Sequence, residues 1–159
     1  MQVLDKLANE RGDPFGAEPE DAAERAVLPV ISLVIPTRNE ADNINELVRR
    51  IDAVEPDLPM EIIFADDSTD DTPAVIEAVA GAVSREIHLL HRSPETRVGG
   101  LGGAVIAGMR IARAPWVCVM DADLQHPPEM ISHLLATATA DDVDLVVASR
   151  YGGGGDADS

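Results

Sequence analysis

The sequence predicts an α/β fold, in which a doubly wound, mainly parallel sheet has helices on both faces. Short runs rich in Val and Ile alternate with longer amphipathic runs rich in Ala, the pattern of strands and crossover helices. Right-handed crossovers then give an open parallel sheet. Hydrophobic residues make up 45% of the 159 residues, which suits one domain with a buried core.

The first predicted strand, residues 27–35, is continuously apolar, which indicates burial on both faces. The five predicted strands cover residues 27–35, 60–65, 86–90, 116–120 and 143–148. Four helices are predicted. The first follows residue 40 and ends before Pro56, the second begins at residues 72–73, and the third and fourth cover residues 101–114 and 128–139. Residues 1–26 are polar and acidic and contain Gly and Pro, so we expect a flexible acidic leader before a domain at residues 27–159.

The charge balance argues against a nucleic-acid-binding protein. Twelve basic and 29 acidic residues give a net charge of −17, whereas nucleic-acid binding needs a basic surface. An anionic ligand would need a cation beside it, and a divalent metal would supply one. Alternatively, the acidic surface only keeps the protein in solution.

Cysteine usage and hydropathy suggest a soluble protein in a reduced compartment. Cys118 is the single cysteine, so no disulfide framework can form within the chain, and it is interpreted as a buried structural residue. The sequence has no secretory signal and no apolar run as long as a membrane span. We therefore expect a cytoplasmic location.

The segment WVCVMDADLQHPPE, residues 116–129, suggests a metal site. A buried strand ends at Asp121 and Asp123, which point to the same side in an extended backbone, and Gln125 adds an amide oxygen. Hard oxygens of this kind hold Mg²⁺ or Mn²⁺, with substrate phosphates completing the shell. The alternative is a helix cap or a solvated turn.

Other predicted strand ends carry polar groups to the same edge. They are residues 36–40, Asp66 with Asp67, and Ser149 with Arg150. Ligands of open parallel sheets bind outside the carboxyl ends of the strands, so this convergence predicts a site there. Asp66 and Asp67 could accept hydrogen bonds from a base or a ribose, or only form a turn. Arg150 suits a phosphate.

Several further features are interpreted as structural. The glycine run at residues 99–104 does not match a dinucleotide-binding pattern, because position 105 is valine, although it could bring a helix close to a phosphate or to the sheet. Arg92 and Arg97 are interpreted as surface charges, with contact to a diphosphate as the alternative, and the histidines at 88, 91 and 133 as inert. His126 is expected beside the metal or in a structural role.

Five motifs in order resemble one enzyme family. They are VIPTRNE (34–40), DDSTDDT (66–72), GLGGAVIAG (100–108), MDADLQHPPE (120–129) and VVASRY (146–151). Together they resemble the catalytic domain of inverting family-2 glycosyltransferases of GT-A fold, above all dolichol- and polyprenol-phosphate mannose synthases. The resemblance runs from about residue 30 to the end. It implies that residues 27–159 are part of a nucleotide-sugar-binding catalytic domain, incomplete at its C-terminus.

The resemblance also implies roles for individual residues. The nucleotide-sugar-binding positions match Pro36, Arg38, Glu40, Ala65, Asp66, Asp67, Asp121, Ala122 and Asp123. The metal ligands match Asp123 and Gln125, with Asp121 beside them, and the metal would be Mg²⁺ or Mn²⁺. The catalytic positions match Asp121, Asp123 and Arg150. Arg38 where tyrosine is common, and Asp71 where glycine is common, leave the nucleotide open between GDP and UDP.

The implied reaction is metal-dependent, inverting transfer of a hexose, mannose or glucose, to a polyprenyl or dolichyl phosphate. The donor would be GDP-mannose or UDP-glucose, and the chain would associate with a membrane surface, at its cytoplasmic face. Two alternatives remain: a family-2 transferase with a sugar-hydroxyl acceptor, and a catalytically incomplete fragment that binds nucleotide sugar. A receiver domain is excluded, because residues 89–91 contain no Asp and no lysine follows Lys6.

Overall fold

A computed structural model of the chain describes residues 28–54, 56–141 and 143–149. The predicted leader at residues 1–26 lies outside the described residues. Strands and helices alternate in the order β1 (Ile31–Thr37), α1 (Ala41–Val54), β2 (Met60–Asp66), α2 (Thr72–Ala80), β3 (Glu86–His91), α3 (Gly100–Ile111), β4 (Trp116–Val119) and α4 (Met130–Ala140).

The four strands form one parallel sheet in the order β3-β2-β1-β4. The chain moves outward from β1 through β2 to β3, and α3 then carries it back to the other side of β1. Val34 pairs with both Ile63 and Val119, which places β1 at the centre. The predicted doubly wound parallel sheet is therefore confirmed.

The main hydrophobic core lies on the sheet face that α1 and α2 cover. Alternate residues of a strand point to the same face, and the apolar stripe of each helix packs on them. Buried members of this core are Ile31, Leu33, Ile35, Ile62, Phe64, Ile44, Leu47, Ile51, Ile76 and Ile131. Full burial of one such aliphatic side chain contributes about 1.5–3 kcal/mol. Ile131 of α4 also belongs to this core.

The helix α3 covers the opposite face, and its glycines set how closely it packs. A Cβ atom on Gly108 would lie 2.6 Å from Cγ1 of Val34, which points to that face. A Cβ atom on Gly103 would lie 1.9 Å from the carbonyl oxygen of Val98. The glycines therefore bring α3 against the sheet and against its preceding loop, one of the two roles considered for the run.

The predicted fifth strand is absent from the described residues. Residues 143–149 have no strand pairing, and the side chains of Leu145 and Val147 are 78% and 73% exposed. An apolar run alone indicated a strand, but a strand also needs a neighbour that supplies backbone hydrogen bonds. The other predicted elements agree with the structure to within a few residues at each end.

Candidate functional site at the carboxyl edge of the sheet

The topology places a crevice between the carboxyl ends of β1 and β4. Strand order reverses at this point, because β2 follows on one side of β1 and β4 is added on the other. Open α/β sheets bind ligands at such switch points. Pro36 and Asp121 each lie two residues beyond the Val34–Val119 pair, so they border the same crevice.

On the β2 side, the Asp66 carboxylate is fully buried and engaged by neighbouring side chains. Its Oδ1 accepts hydrogen bonds from Thr37 Oγ1 at 2.8 Å and from Ser68 Oγ at 2.5 Å. Its Oδ2 accepts a bond from the Ser68 backbone N–H at 3.3 Å and lies 2.6 Å from His91 Nδ1. This carboxylate connects the ends of β1, β2 and β3. His91, interpreted as inert, therefore contributes to the edge.

Asp67 is held by an arginine that sequence reasoning assigned to the surface. Arg92 is 7% exposed and donates to Asp67 through Nε at 2.8 Å and Nη2 at 2.5 Å. Its guanidinium also donates to the carbonyls of Val98 and Gly100, at 3.3 and 3.1 Å. The surface interpretation of Arg92 was wrong, because its charge is buried in a bidentate ion pair.

Register could have revealed this pair. Asp66 is the register partner of His91, so Asp67 and Arg92 are the next residues along two neighbouring strands. Opposite charges at matching positions after paired strands are a usable signal once the strand order is known. Arg97 also joins the cluster, since its Nη1 donates to the Asp67 carbonyl at 2.8 Å.

Hydrogen bonds from backbone N–H groups to side-chain oxygens connect the segment after β1 to the segment after β2. The Asn39 N–H donates to Ser68 Oγ at 2.8 Å, and the Thr69 N–H donates to Asn39 Oδ1 at 3.0 Å. Arg38 is exposed and Glu40 is half-buried beside this connection. The predicted nucleotide-binding residues Arg38 and Glu40 therefore lie on the same edge as Asp66 and Asp67.

The β4 side has a different character. Asp123 is exposed, and its Oδ1 accepts one hydrogen bond, from the Gln125 N–H at 3.0 Å. The Asp121 side chain is 49% exposed, and its Oδ2 lies 3.7 Å from Nδ1 of His126. Unlike Asp67, neither carboxylate forms a described ion pair with an arginine. Ala122 between them is buried, which anchors the turn.

Two strained backbone positions lie on this edge. Among the described residues, Asn39 and Leu124 are the non-glycine residues with positive φ, at 59° and 63°. Asparagine tolerates this region, but a leucine there is unusual. Strained positions tend to cluster at functional sites, so Leu124 singles out the turn that carries Asp121 and Asp123.

Comparison with known proteins identifies the family. The sequence profile described as "Glycosyl transferase family 2" matches residues 32–159. The chain belongs to glycosyl transferase family 2. The profile begins within β1 and therefore includes every residue of the carboxyl edge described above.

Several proteins are similar to this chain over most of its length. The chain is 39% identical over 127 residues to the dolichol-phosphate mannosyltransferase of Pyrococcus furiosus, covering 79% of this chain and 34% of that protein. It is 37% identical over 126 residues to the polyprenol monophosphomannose synthase of Mycolicibacterium smegmatis, covering 77% and 46%. It is 40% identical over 125 residues to an undecaprenyl-phosphate 4-deoxy-4-formamido-L-arabinose transferase of Sodalis glossinidius, covering 76% and 36%. The chain thus spans between about a third and a half of these relatives.

A solved structure supports the fold assignment. Mannosyl-3-phosphoglycerate synthase from Rubrobacter xylanophilus superposes with a TM-score of 0.54 at 24% identity, covering 70% of this chain and 36% of that one. At this identity the likeness concerns the fold alone, and it agrees with the sheet predicted from the sequence.

The remaining predicted site residues differ in how exposed they are. Pro36 and Ala65 are buried register partners at the ends of β1 and β2, so they form the floor of the edge. Gln125 is exposed beside Asp123. Arg150, predicted to be catalytic, lies outside the described residues.

A groove of 610 Å³ runs beside the free edge of β4. Its walls are β4, α4 and residues 144–149, and Gln125 and His126 lie on its lining. None of the predicted nucleotide-sugar-binding residues lines it. In the part of the chain that the structure describes, no helix is long and apolar enough to span a membrane.

Proposed function

We propose that this chain carries the nucleotide-sugar-binding part of a glycosyltransferase that moves a hexose from a nucleotide diphosphate sugar to a polyprenyl phosphate. The transfer would depend on a divalent metal and invert the anomeric carbon. Support for the acceptor comes from the relatives, whose names refer to dolichol phosphate, polyprenol and undecaprenyl phosphate. Support for the donor comes from the carboxyl edge.

The observation that carries the proposal is the pair of available carboxylates at the switch point. Asp121 and Asp123 follow β4, whereas Asp66 and Asp67 follow β2, and β1 lies between them. Neighbouring strands lie about 4.8 Å apart, so these two acidic groups stand about 10 Å apart across β1. That separation accommodates a nucleoside on the β2 side and its diphosphate on the β4 side.

We assign the nucleoside to the floor and walls on the β1 and β2 side. Pro36 and Ala65 would provide the floor, and the exposed Arg38 and half-buried Glu40 would lie beside the base or ribose. Asp67 would act with both oxygens already bound by Arg92, which fixes its orientation before the ligand arrives. Preorganisation of this kind lowers the entropic cost of binding.

The donor groups on the β4 side fit Mg²⁺ or Mn²⁺. Asp123 and Gln125 would hold the ion, with Asp121 beside them, and all three offer hard oxygen ligands. The carboxylates are solvent-accessible and are not neutralised by a described arginine, so they can accept a cation. When bound, such an ion neutralises the charge that develops on a departing diphosphate.

The acceptor explains why the transferase needs no strong general base. A phosphate monoester has a second pKa of about 6, so at neutral pH it is mostly a dianion and is itself a nucleophile. Its oxygen would attack the anomeric carbon opposite the departing diphosphate, which inverts that carbon. Arg150 would contact a phosphate of the acceptor or donor through its planar guanidinium. A lipid acceptor would place the protein at the cytoplasmic face of a membrane.

Calorimetric titration of the 159-residue chain with GDP and UDP, each with and without Mn²⁺, tests the donor assignment. We expect one of the two nucleotides to bind in a Mn²⁺-dependent manner, and Asp123→Ala to weaken this binding at least tenfold. Asp57→Ala is the matched control, because Asp57 is an exposed aspartate before β2, at the opposite edge of the sheet. Equal binding by the wild-type and Asp123→Ala chains would contradict the assignment.

Turnover is tested separately from binding. The chain is mixed with a radiolabelled nucleotide sugar, Mn²⁺ and a short polyprenyl phosphate, and label in the lipid phase is counted. Transfer that disappears in Asp123→Ala supports the lipid acceptor. Intact Mn²⁺-dependent nucleotide binding without transfer instead identifies this chain as a donor-binding fragment.

A further inference from the structure

A second group of metal-ligating side chains lies at the opposite, amino edge of the sheet. Glu61 is the second residue of β2, and Glu86 and His88 belong to the start of β3. One ligand atom from each of these three residues lies within 4.8 Å of the other two. This cluster, which we call the amino-edge cluster, shares no residue with the proposed transferase site.

The His88 ring nitrogen is the unexplained atom of the cluster. Nε2 is buried and makes no hydrogen bond, although the side chain as a whole is 38% exposed. It lies 3.1 Å from Oε1 of Glu86 and 3.4 Å from Oε2 of Glu61. Buried polar atoms are normally satisfied, so a nitrogen placed this way requires an explanation.

The spacing of these atoms matches a tetrahedral metal shell. Zinc binds histidine nitrogen and carboxylate oxygen at about 2.0–2.2 Å, so two ligands at a tetrahedral angle lie about 3.3 Å apart. The two distances from Nε2, 3.1 and 3.4 Å, lie on either side of that value. The combination of imidazole and carboxylate ligands suits Zn²⁺ better than Mg²⁺.

The Glu61 carboxylate is held in place through its other oxygen. Oε1 accepts bonds from Ser32 Oγ at 2.5 Å and from the Arg113 N–H at 2.7 Å, and the residue is 1% exposed. Burial opposes ionisation, but these bonds and the Arg113 side chain outweigh it and hold the pKa of Glu61 below its ordinary range. Oε2 thus belongs to a fixed, ionised carboxylate.

The charges of the cluster leave room for a cation. The Arg113 guanidinium bonds Glu61 Oε2 at 2.8 Å and also pairs with Glu86. With a neutral imidazole, two carboxylates and one guanidinium give a net charge of −1. The Arg113 side chain is 43% exposed, so it can move into solvent and expose Oε2.

We propose that Glu61, Glu86 and His88 form a binding site for Zn²⁺ or a similar divalent cation, in which Arg113 is a competing counter-ion. The ion would take the position between Nε2 of His88 and the facing carboxylate oxygens. It would connect β2, which carries Glu61, to β3, which carries Glu86 and His88, at the amino edge of the sheet. The role is structural, and it is independent of the metal proposed for nucleotide binding.

A zinc titration tests the proposal. Bound metal is first removed from the 159-residue chain, and Zn²⁺ is then added in the presence of excess Mg²⁺, which occupies sites made of hard oxygen ligands. We expect one zinc ion per chain, with affinity weakened at least tenfold by His88→Ala and by Glu86→Gln. The side chain of Glu86 is 49% exposed, so its variant tests the site if His88→Ala does not fold. Arg113→Gln should tighten zinc binding, because it removes the competing cation.

Two controls separate this site from general zinc binding. His133→Ala removes an exposed histidine of α4, and His126→Ala removes the one near Asp121, so neither should change the affinity of this zinc ion. Co²⁺ in place of Zn²⁺ should give tetrahedral visible absorption bands that His88→Ala abolishes. Zinc affinity within twofold of wild type in both His88→Ala and Glu86→Gln would overturn the site.

Discussion

The two acidic sides of the carboxyl edge differ in how their charges are satisfied. On the β2 side, Asp66 is fully buried, Asp67 is 7% exposed, and both carboxylates are held by several donors. On the β4 side, Asp121 is half exposed and Asp123 is exposed, with one backbone hydrogen bond to Asp123. The sequence predicted different ligands for the two pairs, but it did not predict this difference in burial and hydrogen bonding.

This difference separates residues that shape the site from residues that are available to a ligand. The contacts of Asp66 with Thr37 and His91, and of Asp67 with Arg92, join the ends of different strands. Removing either aspartate therefore affects the fold as well as any pocket. Asp121 and Asp123 end a short edge strand and contribute little to packing. We therefore expect substitution of Asp121 or Asp123 to impair ligand binding more than stability.

The largest expected effect follows from removing one member of the buried ion pair. Asp67→Ala leaves the Arg92 guanidinium buried without its carboxylate, and Arg92→Ala leaves Asp67 in the same position. Breaking a buried pair costs about 3–5 kcal/mol. We expect either substitution to lower the free energy of unfolding by that amount, measured by urea denaturation followed by circular dichroism.

A double substitution tests whether the loss of stability comes from leaving one buried charge without its partner. Asp67→Ala with Arg92→Leu removes both charges, and removing both partners costs less than stranding one. The double variant should therefore be more stable than either single variant. If the three variants lost equal stability, the ion pair would not be the reason why the β2 side is rigid.

A smaller loss is expected from Asp66→Asn. The amide keeps the shape of the carboxylate but places an NH₂ group among the donors Thr37, Ser68 and His91. An unsatisfied buried group costs about 1–3 kcal/mol, so the free energy of unfolding should fall by that amount. Asp57→Asn, at an exposed position, should cause no measurable loss in the same urea titration.

The parallel sheet was predictable because the local composition of each strand indicates a strand. The runs before Asp66 and Asp121 are apolar and bounded by polar turn residues, so the existence and type of these elements follow from nearby sequence. The run at residues 143–149 has the same composition but no pairing in the structure. Composition reports that a segment could be buried, whereas pairing depends on a partner elsewhere in the chain.

The candidate site was predictable only in part, for a related reason. A strand that ends at carboxylates places them on a known edge, so Asp121 and Asp66 could be located without coordinates. Which carboxylate remains available depends on contacts such as Asp67 with Arg92, 25 residues apart, and Asp66 with Thr37, 29 residues apart. Those contacts require the strand order and register, which no local pattern contains.

On the β4 side, substitutions should weaken ligand binding without lowering the free energy of unfolding. Asp121→Asn and Asp123→Asn remove charges from positions with few contacts, and such substitutions usually change the free energy of unfolding by about 0.5 kcal/mol or less. Metal-dependent nucleotide binding should nevertheless fall at least tenfold in Asp123→Asn, measured by calorimetry. A loss of stability as large as that of Asp66→Asn would erase the difference between the two sides.

The smallest effect concerns Cys118, which lies on β4 just before the exposed aspartates. Burial raises the pKa of this thiol, so less thiolate is present at pH 8 than for an exposed cysteine. A disulfide reagent should react at least about tenfold more slowly with the native chain than with the urea-unfolded chain. Rates are followed by absorbance of the released thiolate.

The same thiol reports whether a substitution loosens β4. Asp123→Asn should leave the rate of reaction unchanged, because the aspartate makes few contacts that hold the strand. Asp67→Ala should increase the rate even though Asp67 follows β2, since labelling through global opening follows overall stability. If instead Asp123→Asn increased the rate and Asp67→Ala did not, β4 would open as an independent unit whose stability depends on its acidic turn.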